Sequence, residues 1–171
     1  MTTESVAPET LHAWAICLQA AEEARRRGDR RYGTDHLLLA LLEDPSIEAV
    51  LGVSLRQARQ ALHSLDHEAL GALGLGAGTN APELPMRAVP KKPRLRDVAK
   101  KDRFRMTPAA KKVLEEAYKP KGHRKFQVTG AEVLAQILKL QPPDPAAVLL
   151  GALGVNPSEI QRRLDAVTAD G

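Results

Sequence analysis

The chain has few residues suited to covalent chemistry, and none of them stands in a catalytic arrangement. Cys17 is its one cysteine, which excludes an internal disulfide. A thiol becomes a nucleophile when a neighbouring base or cation holds it as thiolate. No His or acid is placed by sequence to do that for Cys17, so a small buried or half-buried thiol is expected. His36 has no partner at metal-ligand spacing. It is expected to pack or hydrogen-bond near the start of a helix. The pairs Glu22-Glu23 and Glu115-Glu116 read as solvent faces rather than acid–base machinery. No G-x-x-x-x-G-K-[ST] phosphate loop occurs in the 171 residues. The expectation is a non-enzyme with no cofactor, no metal and no catalytic residue.

Charge is the stronger chemical signal. The chain carries +4 in all, with a pI of about 9.4. Residues 87–105 hold nine Lys and Arg against Asp97 and Asp102, or +7, which leaves the rest of the chain at −3. Basicity therefore belongs to one connecting segment. A mobile basic arm can contact phosphates in a salt-dependent way. Phe104 is the one aromatic in that run, the remaining chain is acidic, and no helix-turn-helix signature stands out. Nucleic acid is thus the alternative partner, not the leading one.

Composition sets the elements that must position these groups. Hydrophobic residues make up 43% and aromatics 3%. A core of Leu, Ala, Val and Ile favours helices. No apolar run approaches the ~20 residues of a membrane span. MTTESVAPET lacks the features of a secretion signal. A cytoplasmic protein without membrane contact is expected.

Helical periodicity predicts a first helix over about residues 10–27, with Leu11, Trp14, Ala15, Leu18 and Ala21 inward and Gly28 at its end. Thr34 is the expected N-cap of a second helix bearing Leu37, Leu38, Leu41 and Leu42. Asp44-Pro45 opens a short third helix that Gly52 closes. Ser54 and Gln57 form a capping box for a fourth, with Leu55, Ala58, Leu62 and Leu65 inward. From Gly71 the pattern dissolves into glycines, then prolines, then the basic run. Helices resume at Thr107-Pro108, where Pro120 stops the first early. Thr129 with Glu132, Asp144-Pro145 and Asn156-Pro157 open three more, and Gly154 closes the one before the last.

The two halves follow one plan. GTDHLLLALL (33–42) lies over TGAEVLAQIL (129–138), and GVSLRQARQAL (52–62) over GVNPSEIQRRL (154–164). The stretches AAEEARRRGDRRYGTDHLLLALL (20–42), LGVSLRQAR (51–59) and MTPAAKKVLEEA (106–117) resemble the Clp N-terminal repeat, which occurs as a tandem pair at the front of Clp-type unfoldases. The resemblance covers most of the chain outside the linker and the ends. It implies an all-α fold of two pseudo-twofold-related four-helix repeats over residues 8–70 and 106–168, joined by a long basic linker over 71–105. The first repeat is shorter than the family's between Leu42 and Gly52. The natural-looking start and polar tail favour a stand-alone chain without the ATPase modules.

The family domain is a docking platform without catalysis of its own, so the resemblance implies adaptor, substrate or unfoldase partners in the Clp system, or cyclic-peptide-like ligands. The implied peptide groove has Trp14 on one side and Met106, Lys111 and Glu115 on the other. Met is an adaptable contact and Trp a large anchor, while Lys111 and Glu115, four apart, share a helix face. For Trp14 a core position is the competing expectation. Some family members also bind phosphorylated arginine, and Thr10 and Asp35 match that site in the first repeat. In the second, Thr107 matches, but Ala131 replaces the acid and Ala109 the phosphate-side Arg. Thr10, Thr34 and Thr107 are otherwise expected as plain helix caps.

Overall fold

The computed structural model describes residues 13–74, 105–119 and 128–169; within them every regular element is helical apart from one isolated parallel bridge, Tyr32 to Met106. The first half holds α1 (Ala13–Arg27), α2 (Thr34–Leu41), α3 (Pro45–Leu51) and α4 (Leu55–Ala72). The second holds α5 (Pro108–Tyr118), α6 (Gly130–Ile137), α7 (Pro145–Ala152) and α8 (Pro157–Ala169). None of these helices is long and apolar enough to cross a membrane. The basic run up to Lys101 and Arg103, the start of the first helix at Thr10, and Pro120 lie outside the described residues.

Short-range chemistry sets most boundaries. Asp44 accepts from the Ser46 N–H at 2.8 Å, and Asp144 from the Ala146 N–H at 3.0 Å, each ahead of a proline at the first helical position. The Gln57 N–H donates to Ser54 Oγ at 3.2 Å while the Ser54 N–H donates to Gln57 Oε1 at 2.8 Å. Thr129 and Glu132 repeat that box at 3.3 and 2.9 Å. Thr107 caps α5 through the Ala110 N–H at 3.2 Å. Each such cap contributes about 1 kcal/mol. Gly52 and Gly154 both end their helices at φ +68°, where a side chain would be strained. α4 continues through Gly71 to Ala72, two residues into the segment expected as linker.

Two sequence expectations fail. The cap of α2 is Gly33, and Thr34 is already helical. The His36 imidazole takes the Gly33 N–H at 3.1 Å, so α2 is closed from inside its first turn. Thr34 Oγ1 instead donates to Asp144 Oδ1 at 2.7 Å, tying the halves together. On α1 the inward row is Ile16, Ala20, Glu23 and Ala24 rather than one through Trp14 and Leu18. Residues 16, 20 and 24 recur every fourth position, and the small side chains of Ala20 and Ala24 let α2 approach closely.

α2 is the hub. All eight of its residues are buried, and it packs on α1 and α4 of its own half and on α5, α6 and α7 of the other. Most contacts between halves come in reciprocal pairs. α1 meets α6 as α5 meets α2, and α3 meets α8 as α7 meets α4. A twofold relation near the α2–α6 contact accounts for these two exchanges, whereas the packing of α2 on α7 has no counterpart of like extent between α3 and α6. The halves thus share one core, in which Leu37, Leu38, Leu41, Val133, Leu134, Ile137 and Leu149 are all fully buried. Each contributes about 1.5–3 kcal/mol by leaving water.

Candidate functional site

Trp14 lies in the first turn of α1 on the flank away from the Ile16–Ala20–Ala24 row and is 53% exposed. Its competing expectation as a core residue is therefore wrong. A large apolar ring left in water costs the fold burial it would otherwise gain, and the core does not use it.

The α1–α2 loop is joined to the entrance of α5 by two backbone bonds. The Tyr32 N–H donates to the Arg105 carbonyl at 3.0 Å, and the Thr107 N–H to the Tyr32 carbonyl at 2.9 Å. This bridge seats Met106, which is half-buried against the core. Along α5, Ala110, Val113 and Leu114 face inward. Lys111 and Glu115 lie on its exposed face, paired at 3.5 Å. In water that pair is worth at most about 0.5 kcal/mol. The structure thus brings Lys111 to Glu115 and fixes Met106 beside Tyr32. Trp14 is on α1, and α2, on which both α1 and α5 pack, is the element common to them.

Asp35 is in the first turn of α2 and is buried. Its Oδ1 lies 3.0 Å from His36 Nδ1, and its Oδ2 accepts from Arg27 Nη1 at 3.4 Å. Burial alone would raise the carboxyl, but the hydrogen bond and charge of His36, with Arg27 behind, outweigh it and hold it below the ordinary value of 3.8. A Cβ on Gly33 would meet Asp35 Oδ1 at 2.6 Å, so a side chain there would have to displace this carboxylate from its present contacts. Arg27 is shared with Asp29 at 3.3 Å and Asp66 at 2.8 Å, linking the end of α1 to α2 and α4. His36 faces a carboxylate at each ring nitrogen, with Asp29 3.1 Å from Nε2; Nδ1 donates to Asp35 when it carries a proton and accepts the Gly33 N–H when it does not. Its packing and bonding near a helix start match expectation. Thr10, the proposed companion of Asp35, lies outside the described residues.

Glu23 was expected on a solvent face and is 2% exposed instead. The Arg59 Nε donates to its Oε2 at 3.0 Å, and the Arg59 Nη2 to its Oε1, which ties α1 to α4. Position 23 continues the inward row of 16 and 20 by one turn, the signal that would have found it. Cys17 is half-buried beside the Tyr32 hydroxyl. Burial pushes its thiol up despite that hydroxyl, which disfavours the thiolate a nucleophile needs. Among the described residues no set of three or more His, Cys, Asp and Glu is arranged to hold a metal ion.

Residues 10–141 match the model of a family described as the Clp repeat (R) N-terminal domain. No curated protein matches the chain.

Proposed function

The chain belongs to the Clp repeat N-terminal domain family, and from that premise we propose that it is a non-catalytic docking module of the Clp proteolysis system. It binds adaptors, substrates or cyclic-peptide-like ligands, and competes for them with an unfoldase's own N-domain. The observation that carries this reading is the exposure of Trp14, at 53%, in a chain whose other large side chains mostly fill one core. Trp supplies large contact area for little conformational entropy, which is why it anchors binding surfaces. Met106 adds an adaptable thioether, and the Lys111–Glu115 pair a polar rim that a ligand can re-pair at small cost.

A phosphoarginine-like site at Thr10 and Asp35 is the second reading. Asp35 is buried, holds its charge, and already receives the Arg27 guanidinium, so a substrate guanidinium would compete with Arg27 for it. An NMR titration of the full chain with arginine-phosphorylated and unmodified copies of one unstructured peptide separates the readings. Shifts on Trp14, Met106 and Lys111 with both peptides support the groove. Shifts near Thr10 and Asp35 with the phosphorylated peptide alone support the second site. Absence of any shift at millimolar peptide removes both.

A further inference from the structure

α4 carries a chemical pattern that the docking surface does not use. His63 and His67 lie four residues apart on its exposed side, with ring centroids 6.3 Å apart and planes tilted by 41°. That spacing puts two imidazoles one turn apart on one helix face, the arrangement by which helical histidine pairs hold zinc. With metal–nitrogen distances of about 2.0–2.1 Å, two rings sharing a tetrahedral ion need centroids roughly 5 Å apart. The observed separation is larger by about 1 Å, which small χ1 and χ2 adjustments of exposed side chains supply.

The chain's described histidines differ in availability. His36 is 3% exposed with both ring nitrogens engaged by Asp29, Asp35 and the Gly33 N–H. Among the described residues neither His63 nor His67 has a hydrogen-bond or ion-pair partner, so their lone pairs face solvent. Asp66, between them, is turned to Arg27 at 2.8 Å and does not complete a third position. The remaining coordination positions fall to water. Imidazole donors select ions of the zinc, copper and nickel class over magnesium or calcium.

The pair also spans the point at which α4 leaves the core. Leu62 is the last buried residue of α4, and residues 66–72 are all exposed. Helical turns without tertiary packing are marginal in water. A bond from His63 to His67 through one ion would fix that outer stretch. We propose that His63 and His67 form a two-histidine site for a divalent transition-metal ion, and that occupancy rigidifies the outer half of α4.

The untagged full chain, titrated with copper(II) sulfate and followed by amide NMR, tests this directly. The expected result is paramagnetic broadening centred on residues 60–70 at equimolar copper. Calorimetry with zinc chloride should show at least tenfold weaker binding for both His63→Ala and His67→Ala. Zinc should also slow amide exchange across residues 66–72. His63→Gln and His67→Gln, which keep side-chain size, give the same readout should an alanine variant lose helix. Broadening centred on Cys17 or His36, or zinc affinity unchanged in both variants, overturns the proposal.

Discussion

Glu23 and Asp35 are buried carboxylates in the first half, and each is matched to a cation from another element. Removing the cation breaks the pair from its expensive side, because it leaves a buried charge behind, which for Glu23 only Arg26, at 3.4 Å, then offsets in part. Arg59→Met should therefore cost about 2–3 kcal/mol, less than a fully buried pair because Arg59 is partly exposed. Urea denaturation checks it; a loss under 0.5 kcal/mol would mean that Glu23 is solvated after all. Asp35 has its folded-state pKa held below 3.8, so its stabilisation is complete above that value and is lost as pH falls through the folded-state value. Denaturation curves from pH 6 to pH 3 should show the wild type losing more stability below pH 4 than Asp35→Asn. Parallel curves would remove this role. Neither burial was legible from residue type, because a carboxylate reads as surface until its register on the inward row is known.

At the scale of elements, what the sequence makes legible is what neighbours within four residues decide. The caps at Asp44, Ser54, Thr107, Thr129 and Asp144, and the stops at Gly52 and Gly154, are local contacts and appear where their motifs predict. The inward face of α1 is not local. Trp14 and Leu18 look like core by hydrophobicity, but α2 needs a narrow neighbour, and the Ala20–Ala24 row provides it. Thr34 misleads for a similar reason, since the bond it makes is to Asp144, 110 residues away. Thr34→Val keeps the shape and removes that bond, and should cost about 1 kcal/mol without altering α2. Thr34→Ser should retain most of the stability. A loss in Thr34→Ser with none in Thr34→Val would show that methyl packing, not the hydroxyl, holds the junction.

For the molecule as a whole, the duplication visible in the sequence becomes one shared core, with α2 wrapped by helices of both halves. A chain ending at residue 74 would expose the faces of α2 that α5, α6 and α7 cover. Residues 13–74 expressed alone should lack cooperative unfolding by circular dichroism, and a sharp two-state transition would contradict the shared core. That same core leaves Trp14 outside, on a scaffold too well packed to need it. The docking account stands on this residue, and it is the chain's one tryptophan, so emission reports from that position alone. The most direct measurement is Trp14 fluorescence of the full chain titrated with arginine-phosphorylated and unmodified copies of an unstructured peptide. The account predicts a saturable blue shift, with peptide affinity measured by calorimetry at least tenfold weaker in Trp14→Ala and the stability of that variant within about 0.5 kcal/mol of wild type. Peptide binding by calorimetry with unchanged Trp14 emission and undiminished affinity in Trp14→Ala would contradict it.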